Sequence, residues 1–506
     1  MQNLNKELLK SGFQFPADVK VSEYKELPEK VLQFGEGNFL RGFVDWMINK
    51  MNQQGLFNGR VVVVQPIAQG MVDMLNAQDG AYTLLLRGIQ NDQVVEDKEI
   101  ITSISRGINP YAQFDEYLKC AENPELRVIF SNTTEAGISY NPSDRFEDAP
   151  PASFPGKLTV LLHKRFTTFN GDLSKGFIII PCELIDRNGD NLKKIVLQLA
   201  NEWNLGSEFI NWIEKANYFF NSLVDRVVTG YPKDEVEKLT QALGYKDNAI
   251  NTAEIFHFWA IEGDTSVADE IPFTKAGLDV VWTADMTPYR SRKVRILNGA
   301  HTMTVLGAYL YGKDTVKECM DDEMIQTYMN KGIFDEIIPT LDLPKSELEA
   351  FAAEVSKRFA NPFIKHYLLS ISLNSTSKFK ARVLPSITEY IKRKGQLPKV
   401  LTFSLAALVA FYRGTEIQGT SLIGNRPGNT YNINDDMPVL EFFKGLWTAY
   451  DETKEGAGKL VTAVLGNTAL WGEDLNNLPG FTAAVTDYLY SILTNGVGET
   501  IKEVIA

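Results

Sequence analysis

The sequence predicts an α/β domain built on a parallel sheet with additional strands over residues 1–285, followed by an all-α domain over 286–506. Three observations predict it. Short β-branched runs alternate with helical patterns through the first half, a glycine-rich turn directly follows the first of those runs, and from about Asp285 the pattern changes to successive helices. A chain of 506 residues is too long for one ordinary core and long enough for two large domains.

The candidate parallel strands are Lys30 to Phe34, Val61 to Gln65, Arg127 to Ser131 and Phe177 to Pro181. Each is a near-continuous apolar run with a turn signal after it, as expected of strands buried on both faces. Tyr82 to Arg87 and Val94 to Ile104 alternate instead, and are expected as an extra antiparallel piece. Beyond Asp285, helical patterns are punctuated by Pro339, Pro362, Pro385, Pro398, Pro427 and Pro438. Glycine and asparagine concentrate between Gln418 and Asn434, which reads as a long surface loop because helical patterns resume on both sides.

The first strand runs into Phe34-Gly35-Glu36-Gly37-Asn38-Phe39-Leu40-Arg41, with an amphipathic helix expected from about Phe43 to Gln54. A glycine-rich turn between a first strand and a helix lets backbone N–H groups and the helix dipole meet a pyrophosphate, so the domain reads as Rossmann-type and these eight residues as a dinucleotide site. Leu40 stands where G-x-G-x-x-G has its third glycine, and Gln65-Pro66 stand where an acid for the adenosine ribose is expected. NAD and NADP are both open on this pattern. The polar turn Ser131-Asn132-Thr133-Thr134-Glu135 lies at the carboxyl edge of a later strand, where ligands sit in open α/β folds, and adds Thr133, Thr134 and Glu135 to the cofactor site.

Thr287-Pro288 begins a helix that reads through Leu306. At ~100° per residue, Arg290, Lys293, Asn298 and His301 fall within an arc of about 140°. A lysine, an amide and an imidazole aimed one way suit hydride transfer to a carbonyl, which requires a proton donor and hydrogen-bond donors for the developing alkoxide. Lys293 is the expected acid–base, its pKa lowered by burial and by the cations Arg290 and Arg292, with Asn298 and His301 the expected oxygen-holding groups.

The formal net charge of −13 opposes any phosphate backbone, and no basic run is long enough to overcome it, so nucleic acid is excluded as a partner. Four cations in six residues, Arg290 to Arg295, suit a small anionic ligand instead. Three distant cysteines and the lack of an apolar leader fit a reducing, cytoplasmic setting. The longest apolar stretch, Leu405 to Phe411, is far below the roughly 20 residues of a membrane span. His163, His257, His301 and His366 show no metal-ligand spacing, and no metal is expected.

The string Lys293-Val294-Arg295-Ile296-Leu297-Asn298-Gly299-Ala300-His301 resembles the K-x4-N-x2-H signature of the mannitol, or polyol-specific long-chain, dehydrogenases. The resemblance extends over almost the whole chain. The segments Phe34 to Arg41, Ser131 to Tyr140, Pro181 to Gly189 and Asn298 to Thr302 look most like the branch acting on tagaturonate and altronate. It implies a zinc-independent, NAD-linked interconversion of those sugar acids, with Lys293 as acid–base and Asn298 and His301 polarising the carbonyl. It also implies substrate contacts at Asn188, Asp225 and Lys378. Arg290 stands where mannitol enzymes carry an acid, and Ser370 where they carry an arginine, which points to an anionic substrate. The fructuronate–mannonate pair, a plain hexitol, and a non-catalytic dinucleotide sensor remain as alternatives.

Overall fold

The computed structural model describes residues 1–506, which divide into two compact units, Met1–Met286 and Thr287–Ala506. In the first, six parallel strands form one sheet in the order Ile104–Ile108, Arg60–Val64, Glu29–Phe34, Val128–Ser131, Ile178–Pro181, Tyr218–Phe219. Numbered along the chain, that order is 3-2-1-4-5-6, the doubly wound arrangement of dinucleotide-binding folds. Alternate side chains feed separate cores on the two faces: Val31, Val61 and Val63 on one, Leu32, Phe34, Val62 and Val64 on the other. Burial on both sides is why these strands read as continuous apolar runs.

The antiparallel piece is a hairpin, Tyr82–Gln90 with Gln93–Ile101, turned at Asn91-Asp92 with both residues at positive φ. It belongs to a second sheet with Val19–Val21 and Asn251–Glu254. The run expected to end at Ile104 divides there, and Ile104–Ile108 leaves the hairpin to become a parallel edge strand of the main sheet. A third sheet, Asn221–Asp225, Phe258–Glu262 and Val280–Thr283, has no counterpart in the sequence reading.

The second unit is mostly helical. Its centre is Lys399–Phe411, in which every residue from Val400 to Phe411 is buried, packed against the Gly299–Tyr311 and Phe481–Asn495 helices. The apolar run at Leu405 to Phe411 is therefore a core helix, and no helix is long and apolar enough to cross a membrane. The expected surface loop is a correction. Ile417–Gln418, Ser421–Arg426 and Asn429–Ile433 form an antiparallel meander that turns at Pro427-Gly428 and buries Leu422, Tyr431 and Ile433. Its dense glycine and asparagine masked a period-2 apolar pattern with few members.

Candidate active site

The glycine-rich turn lies at the point where strand order reverses, between Glu29–Phe34 and Val128–Ser131. The structure divides its eight residues into two groups. Phe34, Glu36, Leu40 and Arg41 are buried and shape the turn; Gly37 and Asn38 are exposed at the start of the Asn38–Arg41 helical turn. Phe39 is partly buried, stacked on Phe43 at 5.0 Å. Helical structure thus begins sooner than expected, and Val44–Gln53 follows as the longer helix.

Gly35 has φ +119°, and a Cβ there would lie 2.9 Å from the Asn132 carbonyl oxygen, so glycine is required. Gly37 has nothing within 4 Å of its Cβ position and no side chain caps the turn that it starts. This open backbone edge fits a phosphate group. Arg41 holds the turn from below, its guanidinium donating to the carbonyls of Glu36 and Ala249 and to Asn38 Oδ1 at 3.2, 2.6 and 2.8 Å. Burial raises the Glu36 carboxyl, whose Oε1 accepts from the Met71 N–H while Oε2 is buried without a partner.

The neighbouring turn is fixed by Glu183, which the sequence reading missed. Its carboxylate accepts from Ser131 Oγ at 3.0 Å and from Thr133 N and Oγ1, both at 2.9 Å. Thr134 and Glu135 are exposed, and Thr134 sits at φ +72°, a strained conformation for a β-branched residue.

Asn188 departs from its expected role. It is fully buried; its amide N–H groups point to the carbonyls of Pro181, Glu183 and Ser222, and its oxygen accepts from Gly189 and Ser222 N–H. With every hydrogen-bonding position used, it clamps the loop after Ile178–Pro181 and has none left for a substrate. Asp225 is buried at the end of the Asn221–Asp225 strand.

In the second unit the expected single α-helix is three segments: Thr287–Arg292 α-helical, Lys293–Asn298 π-helical, and Gly299–Tyr311 α-helical. A π turn absorbs one extra residue, removing about 100° of rotation between Lys293 and Asn298 and narrowing the four-residue arc from about 140° to about 80°. Wide turns of this kind are concentrated at functional sites. Gly299 lets the Ser375–Arg382 helix approach, since a Cβ there would lie 3.2 Å from the Arg382 carbonyl oxygen.

Lys293, Asn298 and Arg290 are half-buried on this segment. The Asn298 amide has no hydrogen-bond partner within the chain; its backbone carbonyl accepts from Thr302 Oγ1. The His301 ring packs on Phe359 at 4.0 Å and edge-on to His366 at 5.2 Å. Burial first, then His366, Arg358 and Arg382, hold its pKa well below the usual histidine value, so the imidazole is neutral at physiological pH. Two of the four clustered cations are engaged elsewhere, Arg292 with Glu347 at 2.6 Å and Arg295 with Ser386 and Thr340 at 2.6 and 3.1 Å.

Lys378, on the Ser375–Arg382 helix, is half-buried with Nζ 3.0 Å from the Ile371 carbonyl. Burial, then Arg382, pulls its pKa below the usual lysine value against Asp435. His366 and Arg382 come from 65 and 81 positions beyond His301, and no motif spacing signals them. No group of three His, Cys, Asp or Glu side chains is placed to hold a metal.

A dinucleotide-type sheet joined to a helical unit that carries lysine, amide and imidazole on one segment defines a dehydrogenase of the two-domain kind. Residues 29–275 match the mannitol dehydrogenase Rossmann domain and residues 285–493 the mannitol dehydrogenase C-terminal domain, and the chain belongs to that family. Among curated relatives, altronate oxidoreductases of Escherichia coli strains, including O6:K15:H31 (strain 536 / UPEC) and O1:K1 / APEC, are 49% identical over 478 residues, 94% of this chain and 97% of theirs. Among solved structures, substrate-free D-sorbitol dehydrogenase aligns with TM-score 0.81 at 22% identity, over 98% of this chain and all of that one. Pseudomonas fluorescens mannitol 2-dehydrogenase, a ternary complex with NAD and D-mannitol, aligns with TM-score 0.67 at 23% identity over 99% of each chain.

Proposed function

We propose that the chain is an NAD-dependent oxidoreductase of the cytoplasm that interconverts D-tagaturonate and D-altronate. Residues 1–285 serve as the NAD-binding domain and residues 286–506 as the substrate and catalytic domain. The near-50% identity to altronate oxidoreductases over almost the full chain supports the substrate. The observation that carries the chemistry is the π-helical segment, whose turn brings Lys293 and an unpartnered Asn298 amide into one narrow arc with a neutral His301 on the α-helix that follows.

The bound dinucleotide supplies or accepts the hydride. In the direction of reduction, the Lys293 ammonium gives its proton to the carbonyl oxygen as the carbon gains hydride, so the product is the secondary alcohol and the lysine is left neutral. Asn298 and His301 donate hydrogen bonds to that oxygen while its charge develops, each worth roughly a hundredfold or more in rate when preorganised. A neutral imidazole does this without putting another buried cation beside Lys293. Gly35, Gly37 and Asn38, with Thr133 to Glu135, shape the pyrophosphate and nicotinamide end of the cofactor site, and Asp225, Arg290 and Lys378 contact substrate. Asn188 acts by holding its loop.

NADH-dependent reduction across D-tagaturonate, D-fructuronate, D-tagatose and D-fructose tests the reading. Tagaturonate is expected to give the highest kcat/KM. A preference for fructuronate moves the substrate to its epimer, a preference for the neutral sugars makes the chain a hexitol enzyme, and no turnover with NADH binding intact favours a sensor.

A further inference from the structure

We infer that Arg382 is the carboxylate-binding residue of the substrate site, a specificity determinant that distinguishes a sugar acid from the corresponding neutral sugar. The inference rests on the reading above that a hexuronate is reduced at Lys293, Asn298 and His301.

Arg382 ends the Ser375–Arg382 helix, and its guanidinium is half-buried. Its polar contact within the chain is a long one, from Nη1 to Thr302 Oγ1 at 3.4 Å, and no carboxylate pairs with it. Arg87 pairs with Glu96 and Glu235, Arg292 with Glu347 and Arg426 with Asp314, while Arg295 is held by the Ser386 and Thr340 hydroxyls. Fully buried Arg41 and Arg165 instead spend their N–H groups largely on carbonyls. Arg382 has neither an acidic partner nor a set of carbonyls. A half-buried guanidinium that makes one long hydrogen bond keeps most of its five N–H donors available to an anion.

Its position selects the anion. Thr302, which it touches, follows His301 in the chain, so the fork meets the helix that carries the imidazole one position beyond it. Lys378, one turn earlier on the same helix, adds a second cation, and Arg382 is among the groups that keep His301 neutral. In a 2-keto hexuronate the carbonyl carbon and carboxylate carbon are four C–C bonds apart, about 5 Å when extended. The assignment requires the Arg382 fork to meet the carboxylate at that span while the carbonyl oxygen is held at His301, and a planar fork suits a carboxylate through two parallel hydrogen bonds. Ser370 carries no charge, and of the three cations on the Ser375–Arg382 helix Lys380 is exposed, which leaves Lys378 and Arg382 as the half-buried ones.

The test compares R382Q and R382K with wild type on each hexuronate and its neutral ketohexose, tagaturonate with tagatose and fructuronate with fructose. R382Q is expected to raise KM for the uronate roughly ten- to a hundredfold, the loss of a charge-assisted bidentate contact, with kcat/KM for the neutral sugar within threefold. R382K is expected to fall between. Equal losses on both sugars, or no loss on either, overturn the assignment. Wild-type inhibition by a hexonate against the corresponding hexitol gives the same reading if R382Q does not fold: tenfold tighter hexonate binding supports the site, and equal binding overturns it. A wild type that prefers fructuronate refutes the tagaturonate reading but leaves Arg382 to be judged on that uronate; one that reduces neutral sugars as well as uronates overturns both.

Discussion

The two units build their parts of the chemistry in opposite ways. In Met1–Met286 the proposed site is made of backbone: Gly37 presents an open peptide edge, Gly35 and the Ser131–Thr133 turn shape the backbone beside it, and the charged side chains nearby, Glu36, Arg41 and Glu183, are turned inward to hold that backbone. In Thr287–Ala506 the proposed site is made of side chains, with Lys293, Asn298, His301 and Arg382 presented by two packed helices and a π turn. A polyphosphate can be held by any correctly shaped run of N–H groups, whereas a proton and a developing alkoxide need particular functional groups. Substitutions should therefore act through shape in the first unit and through chemical identity in the second.

The largest expected effect tests the second half of that comparison. Lys293→Ala should lower kcat roughly a hundred- to ten-thousandfold and leave NADH affinity within a few-fold, read by stopped-flow reduction and fluorescence titration. Asn298→Ala should cost about a hundredfold in kcat. If either variant loses NADH binding as severely as turnover, the division of labour fails.

Next is the shape of the first turn. Gly35→Val forces a side chain against the Asn132 carbonyl at φ +119°, a strain of about 1–3 kcal/mol, and should raise KM for NADH at least tenfold while kcat at saturation stays near wild type. Gly37→Ala, at φ −66° and with open space around the Cβ position, should change it far less. Equal effects would refute the backbone account. Arg290→Glu should reduce altronate turnover more than mannitol turnover, by about tenfold, since it reverses the charge facing a sugar acid; equal losses on both remove Arg290 from specificity.

The smallest effects concern stability, where each unit holds a buried acid. Asp45, behind the glycine turn, is pushed up to about 7 by burial, against a hydrogen bond from Gln33 and the charge of Arg41. Glu336 is also pushed up to about 7 by burial, against the Val400 and Leu401 N–H groups that it accepts from at 2.9 Å. A folded pKa raised above the unfolded value means that the folded state binds more protons between about 4 and 7, so stability contributed by these groups falls as pH rises through that window. Asp45→Asn should flatten this fall, and its melting temperature relative to wild type should improve from pH 5 to pH 8. Glu336→Gln should lower the melting temperature at both pH values, because an amide offers one acceptor where two N–H groups of the Lys399–Phe411 helix need caps. An improvement in Glu336→Gln at pH 8 would show that burial outweighs capping there.

Legibility followed the range of the interactions. The four parallel strands and the turn after the first could be read because each is encoded within a few residues, by continuous apolar runs and by glycines. The Ser421–Arg426 and Asn429–Ile433 strands were missed because few apolar residues, Leu422, Tyr431 and Ile433 among them, carry their burial. The family resemblance implies a substrate contact at Asn188; that its five hydrogen bonds are internal depends in part on Ser222, 34 positions away, which no local pattern signals.

The sequence by itself determined the class of fold, the glycine-rich turn and the spacing of lysine, amide and histidine, since helix period, strand period and backbone freedom are local properties. Tertiary structure decided that the lysine-to-asparagine segment winds as a π turn and narrows their arc. It also decided that Glu183 fixes the second turn, that Arg292 is occupied by Glu347, and that Arg382 lies unpaired beside Thr302. Those outcomes depend on which distant groups meet in a desolvated place, and the energy of a charge or a hydrogen bond there is set by its partners.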